Sequence, residues 1–266
     1  MGGFHMGAAF LVSFLASVAG AVCGIGGGVI IKPLLDLCQL ADVSAASFLS
    51  GCTVLCMSCY SVARSLLGGD HTVDLEAGTP LALGAAVGGI AGKQLFSLIR
   101  DASPDPGLVG GIQAACLAAI TAGTLLYTLR KAHIRTRRLK GAFPCAAAGL
   151  ALGVMSSFLG IGGGPVNLVV LHYFFGMQAK TAAANSLYII LFSQSASLLA
   201  TLLTHTVPAF AWPMLLLMAA GGIGGGVAGR AAGRRLDDRA VDVLFLWLMV
   251  VIIAVSVYNC WRFFAA

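Results

Sequence analysis

The sequence predicts an all-α polytopic membrane protein that contains two homologous four-segment repeats. Hydrophobic residues make up 59% of the 266 positions and charged residues only 10%, whereas a soluble domain is about a quarter charged. Residues 141–179 and 181–229 contain no Lys, Arg, Asp or Glu, and each run exceeds the roughly 20 residues of one crossing. A Gly-Ile-Gly-Gly-Gly motif also occurs twice, with its two copies 136 residues apart.

The two copies of this motif define the repeats. Residues 24–28 form the first glycine turn and residues 160–164 form the second. Each half also contains three glycines at a spacing of four: Gly84, Gly88 and Gly92 (the first glycine ridge), and Gly221, Gly225 and Gly229 (the second glycine ridge). Such ridges let helix backbones approach closely in lipid, which predicts a packing role. We therefore divide the chain into a first membrane repeat, 1–129, a basic cytoplasmic linker, 130–141, and a second membrane repeat, 142–266.

Hydropathy predicts the elements in order. The hydrophobic segments are 6–23, 29–38, 43–66, 75–99, 107–129, 142–159, 165–177, 181–203, 209–229 and 241–261. Four glycines in five positions break a helix, since each costs about 1 kcal/mol relative to alanine. Irregular backbone at membrane depth persists only where it is buried in protein or lines a cavity. The first segment of each repeat is therefore glycine-broken, either as one interrupted crossing or as a re-entrant hairpin.

The distribution of basic residues favours the hairpin. If each glycine turn reverses the chain, twelve Lys and Arg residues fall on the cytoplasmic side and four on the other, as the positive-inside rule requires. The twelve are Arg64, Arg130, Lys131, Arg135, Arg137, Arg138, Lys140, Lys180, Arg230, Arg234, Arg235 and Arg239. Three crossings per repeat make the repeats inverted, with both termini outside. One observation opposes this arrangement: Lys93 and Arg230 follow matching glycine ridges yet fall on opposite sides.

The paired glycine turns, with Pro33-Leu34-Leu35 after the first, resemble the TauE/SafE family, also called the TSUP superfamily. The resemblance covers nearly the whole chain. It implies a secondary transporter of small, often sulfur-containing anions such as sulfite, sulfoacetate or a related organosulfonate. The second copy departs from the pattern because Gly164-Pro165-Val166-Asn167 has no proline a few residues later. The resemblance fixes neither the substrate nor the direction of transport.

The predicted substrate contacts surround the two glycine turns. Backbone N–H groups without Cβ atoms beside them can converge on an anion, and the positive ends of the following helices would face the same point. A tight turn or close packing is the alternative role. Polar side chains of the second repeat could contact substrate or bond across helices. The predicted contacts are Gly26, Gly27, Gly28, Gly162, Gly163, Gly164, Asn167, Asn185, Ser186 and Lys32.

Charged groups near the turns leave alternatives open. Lys32 could attract an anion, or extend its head group to the membrane interface. Asp36 and His172 could relay protons, although contacts with neighbours or the interface account for each. All ten acidic residues lie near predicted segment ends or in loops, so no mid-membrane carboxylate suggests coupling to protons or sodium. Potential-driven export by alternating access is the predicted mechanism.

Other functional classes find little support. The chain has no spacing typical of an intramembrane nucleophile or a pair of aspartates, so we predict no enzyme and no cofactor. Cys52, Cys56 and Cys59 share one helix face, but no His or carboxylate lies close in sequence, so we predict packing and not a metal site. Basic clusters between hydrophobic segments indicate cytoplasmic loops, not nucleic-acid binding. The expected partners are the lipid bilayer of a bacterial-type plasma membrane and a small anion. An anion channel or a non-transporting receptor is the alternative, and the oligomeric state is not predicted.

Overall fold

The protein is described here by a computed structural model that covers residues 3–68, 73–103, 106–131, 134, 136–137, 139 and 141–265. Over these ranges it forms ten α-helices and no strand. The helices are α1 Gly3–Cys23, α2 Gly28–Leu37, α3 Val43–Leu67, α4 Leu75–Ala102, α5 Pro106–Arg130, α6 Ala142–Leu159, α7 Pro165–Phe175, α8 Ala179–Leu203, α9 Trp212–Gly233 and α10 Asp238–Ala265. In this part of the chain eight helices, all except α2 and α7, are long and apolar enough to cross a membrane. The predicted all-α membrane fold is confirmed. Arg135, Arg138 and Lys140 of the predicted linker lie outside the described residues.

Polar residues that cap a helix determine where the helix begins. The carboxylate of Asp74 accepts hydrogen bonds from the amides of Glu76 and Ala77, at 3.0 and 3.2 Å, so α4 begins at Leu75 as predicted. The Asp237 carboxylate likewise accepts from the amide of Ala240 at 2.8 Å. As a result α10 begins three residues before the hydrophobic segment that predicted it. Hydropathy misses such turns because their first residues are polar.

Helices α1 and α2 form a hairpin around the first glycine turn. The turn packs on the middle of α1, where a Cβ atom on Gly27 would lie 3.1 Å from the carbonyl oxygen of Ala16. Farther along α2, Leu35 shares an apolar cluster with Ala9 near the start of α1. Helix α2 therefore runs back along α1 toward the end at which α1 begins.

Helices α6 and α7 form the corresponding hairpin in the second repeat. Leu171, late in α7, shares a cluster with Cys145 at the start of α6, so α7 runs back along α6. The spacing of 136 relates Leu171 to Leu35 and Cys145 to Ala9. One packing contact between the two arms is thus repeated in both hairpins.

The glycine ridges join the two repeats. Helix α4 packs on α6 and helix α9 packs on α1. A Cβ atom at any ridge glycine would collide with a backbone carbonyl of the facing helix. The facing carbonyls belong to Ala146, Leu150 and Val154 for the first ridge and to Phe10, Phe14 and Val18 for the second. The predicted packing role of the ridges is confirmed, and each ridge packs against the first helix of the other repeat.

Helix ends meet at two opposite ends of the molecule. At one end, Asp36, Arg100 and Arg262 line a cavity of about 830 Å³, which we call the vestibule. At the other, which we call the linker end, Lys131 pairs with Asp242 at 2.5 Å. There the amide of Arg137 also donates to the carbonyl of Tyr173 at 2.8 Å. The α1–α2 hairpin thus opens toward the vestibule and the α6–α7 hairpin toward the linker end.

Large apolar side chains cover the outer surface of the helices. Trp212, Trp247 and Trp261 are each at least 65% exposed. An apolar surface this extensive marks contact with a membrane or a partner, and the helix lengths and the hydropathy identify the lipid bilayer.

Candidate functional site

The two glycine turns contact each other at the centre of the molecule. Gly26 and Gly162 have φ angles of 82° and 71°, a conformation that glycine adopts without steric cost. A Cβ atom on Gly28 would collide with the carbonyl oxygen of Ile161, and one on Gly163 would lie 3.5 Å from the carbonyl oxygen of Ile25. The structure therefore brings together the six glycines predicted as substrate contacts, in a site that we call the glycine crossing.

Several backbone amides at the crossing close the turns themselves. The amide of Gly28 donates to the carbonyl of Gly26 at 2.8 Å, and the amide of Ile31 donates to the carbonyl of Gly27 at 2.9 Å. In the second turn the amide of Asn167 donates to the carbonyl of Gly164 at 3.1 Å. These donors stabilise the turn and the first residues of α2 and α7.

Asn167 and Ser186 lie together beside the second turn. The Asn167 side-chain amide donates to Ser186 Oγ at 3.3 Å, and both residues are almost fully buried. Asn167 Oδ1 has no hydrogen-bond partner among the described residues. In the first repeat the matching hydroxyl, that of Ser50, donates to the carbonyl of Gly28 at 3.4 Å. The hydroxyl at this position thus contacts the glycine turn or the start of its helix in both repeats.

Asn185 holds the start of another helix. Its Oδ1 accepts a hydrogen bond from the amide of Asp74 at 3.0 Å, and its Nδ2 donates to the carbonyl of Thr181 at 2.9 Å. The side chain therefore fixes the N-terminus of α4 to α8. Asn185 therefore forms a hydrogen bond between helices, which was the alternative role to substrate contact.

Lys32 forms a buried ion pair with Asp36. The Lys32 Nζ atom lies 2.7 Å from Asp36 Oδ2, and each side chain is 4% exposed. The Lys32 head group therefore does not extend to the interface. The expectation that acidic residues lie near segment ends holds for Asp36, which precedes the last residue of α2. That position is nevertheless buried, because Arg262 donates to the backbone carbonyls of Asp36 and Leu37 and closes over this end of the helix.

A cavity of about 20 Å³, which we call the polar cavity, lies next to the second glycine turn, with Gly160 in its wall. Its polar lining comes from five helices: Ser47 (α3), Lys93 (α4), Gln113 (α5), Ser157 (α6), and Gln194, Ser197 and Thr201 (α8). None of the described residues in the lining is acidic. A Cβ atom on Gly162 would lie 3.2 Å from Gln194 Cδ, so this amide connects the polar cavity to the glycine crossing.

The polar cavity and the vestibule share one wall. Phe96 lines both cavities and is 2% exposed. Two cations on the same face of α4 lie near its ring, with Lys93 Nζ at 5.0 Å from the ring centroid and Arg100 Cζ at 6.0 Å. Cationic groups therefore line α4 from the vestibule to the polar cavity.

A smaller cavity of about 40 Å³ lies at the linker end. It is lined by His172, whose Nδ1 atom lies 3.1 Å from the Tyr127 hydroxyl, and by the Lys131–Asp242 ion pair. His172 occupies the position that the 136-residue spacing relates to Asp36. Both groups named as possible proton relays thus line a cavity, at opposite ends of the molecule.

Lys93, Gln113, Ser157 and Gln194 were not among the residues predicted for the site. Gln113 and Ser157 lie within hydrophobic segments, and only folding brings them together from different helices. A signal for Lys93 was nevertheless present, because Lys93 and Arg230 follow matching ridges.

Comparison with protein families identifies one match. The model of the family described as "Sulfite exporter TauE/SafE" matches residues 9–256, which include both glycine turns and every residue of the polar cavity. Comparison with curated proteins and with solved structures finds no match.

Proposed function

Because the chain belongs to the sulfite exporter TauE/SafE family, a family of membrane transporters, we propose that it exports small sulfur-containing anions by alternating access. Sulfite, sulfoacetate and related organosulfonates are the candidate substrates. Eight helices that could span a bilayer are consistent with a multi-pass location, and a bacterial-type plasma membrane is the location we propose.

The proposal includes two inverted repeats, each with one re-entrant hairpin and three crossings. Its support is that the α1–α2 hairpin opens toward the vestibule whereas the α6–α7 hairpin opens toward the linker end. Helices α2 and α7, with 10 and 11 residues, are also too short to cross a bilayer alone. Discontinuous helices that meet near the midplane are typical of substrate sites in secondary transporters.

We propose that the linker end faces the cytoplasm. Arg230, which is one of the twelve residues assigned to that side, donates to the backbone carbonyls of Ser61 and Arg64. Lys180 also lies at this end, where its backbone amide donates a hydrogen bond to the Asp238 carboxylate at 3.2 Å. These contacts gather the basic segments at one end, as positive-inside topology requires.

The observation that carries the function is the contact of the two glycine turns beside a polar cavity without acidic residues. An anion there would lie close to the N-termini of α2 and α7. Each N-terminus contributes about half an elementary positive charge, and the interior away from water strengthens such interactions. We propose that residues 26–28 and 162–164 with Asn167 and Ser186 form the central wall of the anion path, and that Lys32 and Asn185 support it.

An inside-negative membrane potential is sufficient to drive export of an anion. It favours the exit of one negative charge by about 2.3 kcal/mol per 100 mV, which is roughly fiftyfold in concentration. Rocking of the two repeats about the glycine crossing would expose the site alternately to the vestibule and to the linker end.

The test is sulfite flux from proteoliposomes that contain the purified protein. Efflux is expected to saturate, to rise when the interior is made negative, and to persist without proton or sodium gradients. Flux that rises linearly without saturation would identify a channel. No flux from correctly inserted protein would contradict transport and favour a receptor. Loss of flux on removal of the proton gradient would disprove the uncoupled mechanism, and Asp36 and His172 would then be mutated first.

Topology is tested separately by cysteine labelling. In a background without the eight native cysteines, a cysteine introduced by Arg235→Cys should react with a membrane-impermeant reagent only after the membrane is opened. Labelling from outside intact cells would contradict the orientation.

A further inference from the structure

Two buried polar atoms in the polar cavity have no hydrogen-bond partner among the described residues. They are Ser157 Oγ and Gln113 Oε1, and the two side chains are 6% and 2% exposed. Buried polar groups almost always have partners, so each exception requires an explanation. A polar cavity needs about 10–15 Å³ to hold one water molecule, and this cavity measures about 20 Å³. At this volume the closed cavity has room for about one water molecule, so a polar occupant larger than water that satisfies both atoms must widen it.

The lining determines which hydrogen bonds that occupant must make. Gln113 Nε2 donates to the carbonyl of Phe158 at 2.6 Å, which identifies the unpaired Oε1 atom as an acceptor. Lys93 supplies ammonium donors and Ser157 a hydroxyl. The occupant must therefore accept several hydrogen bonds and donate at least one.

The charge of the occupant follows from Lys93. This residue forms no ion pair within the described part of the chain, in contrast to Lys32, whose charge is paired with Asp36. No described acidic residue lines the polar cavity. One unpaired cation in a cavity without carboxylates matches one negative charge, because a second would remain uncompensated in a poorly hydrated interior.

The polar residues of this cavity are not repeated at the matching positions. At the spacing of 136, Ser157 corresponds to Ala21, and Gln113 to Met249. Arg230, which corresponds to Lys93 on the matching ridge, donates to two backbone carbonyls. The packing that the repeats share therefore does not require these polar residues, which favours a role in binding.

On the premise of the anion transport proposed above, we propose that the polar cavity binds one compact, singly protonated oxyanion. Lys93 supplies its countercharge, the Ser157 hydroxyl donates a hydrogen bond to it, and Gln113 Oε1 accepts a hydrogen bond from its O–H group. Hydrogensulfite is the sulfur compound of this class. Sulfate at neutral pH has two charges and no proton to donate, and sulfoacetate also has two charges, on its sulfonate and its carboxylate.

Binding to the purified protein in nanodiscs tests the class of ligand independently of flux. The probes are sodium sulfite at mildly acidic pH, where hydrogensulfite predominates, sodium sulfate and sodium sulfoacetate. Calorimetry should give tighter binding for hydrogensulfite than for either of the other two anions. Sulfate or sulfoacetate that binds as tightly as hydrogensulfite would overturn the proposal.

Two variants of Lys93 test the countercharge. A hydrogen bond to a charged group contributes enough for its loss to weaken binding about tenfold or more. Lys93→Gln should therefore weaken hydrogensulfite binding by at least about tenfold. Lys93→Arg should still bind singly charged anions more tightly than doubly charged ones. The control is Lys180→Gln, which removes one exposed cation outside the cavity. Equal affinity in Lys93→Gln and wild-type protein of the same melting temperature would overturn the assignment.

Gln113 is tested with an anion that has no proton. Gln113→Leu should weaken binding of hydrogensulfite but leave that of nitrate, a compact monoanion, unchanged. An equal loss for both anions would contradict the role of Gln113. These outcomes are distinct from failure of the transport proposal: a protein that binds hydrogensulfite without moving it is a receptor, whereas sulfite flux with unaltered Lys93→Gln binding places the site elsewhere.

Discussion

The two repeats are alike where backbones touch and differ where charges lie. A Cβ atom on Gly24 would collide with Ala183, and one on Gly160 would collide with Ser47. These two contacts are related by the 136-residue spacing at both partners. Contacts this close permit only glycine, so these two glycine positions match in both halves.

Charged and polar positions do not match in this way. Helix α2 contains the Lys32–Asp36 ion pair, whereas the corresponding positions of α7 are Leu168 and His172. The first repeat also provides Lys93, whose counterpart Arg230 is bonded to backbone. The matching glycine contacts and the unlike charges therefore give the two ends of the molecule different chemical surroundings.

The largest expected effect concerns the ion pair that only the first repeat contains. Lys32→Leu would leave the buried Asp36 carboxylate unpaired, which costs about 3–5 kcal/mol. In the second repeat, His172→Leu removes one hydrogen bond with Tyr127, which contributes only about 1 kcal/mol. Melting temperatures of the detergent-solubilised variants should show this order.

The double variant Lys32→Leu/Asp36→Leu separates charge from packing. It should recover most of the lost stability, because no unpaired charge remains in the interior. A double variant as unstable as Lys32→Leu would mean that the pair does not determine the stability of α2.

The fold was predictable because its signals are local and repeated. Hydropathy predicted the helices, and the paired glycine turns predicted breaks at matching positions, which the structure brings into contact. The polar cavity was not predictable because it needs side chains from five helices, whose angular positions hydropathy does not define. Asn185 shows the same limit: its sequence position suggested substrate contact, but its partner is the amide of Asp74, 111 residues away.

The second prediction compares equivalent glycines at the crossing. Gly28→Ala would force a methyl group into the carbonyl of Ile161, a backbone atom that cannot move alone. At the equivalent position, Gly164→Ala would place a methyl 3.2 Å from the flexible end of the Ile161 side chain. Overpacking costs about 1–3 kcal/mol, so Gly28→Ala should lower the melting temperature clearly and Gly164→Ala only slightly. Equal effects would contradict the backbone contact as the cause.

The third prediction compares the cations that follow the two ridges. Arg230→Gln should remove hydrogen bonds to the backbone carbonyls at the end of α3, at a cost of about 1 kcal/mol. Its selectivity among anions should stay unchanged, because Arg230 does not line the polar cavity. Thermal unfolding and anion binding on the same sample check both parts. Altered selectivity would indicate that the linker end also contacts the substrate.

The smallest expected effect has the opposite sign and concerns glycines outside the repeated contacts. A Cβ atom on Gly7 or Gly123 would meet no atom within 4 Å, and both glycines lie within helices, α1 and α5. Alanine favours a helix over glycine by about 1 kcal/mol in water, and the folded membrane protein should gain a fraction of this. Gly7→Ala and Gly123→Ala should therefore raise the melting temperature slightly or leave it unchanged, with normal flux.

A loss of stability in Gly123→Ala would reveal a contact on the outer face of α5. A second copy of the chain is the first candidate for that contact, and cross-linking from position 123 would test it. The contrast with Gly28 shows that the atoms a glycine faces, more than glycine content, determine which glycines the fold requires.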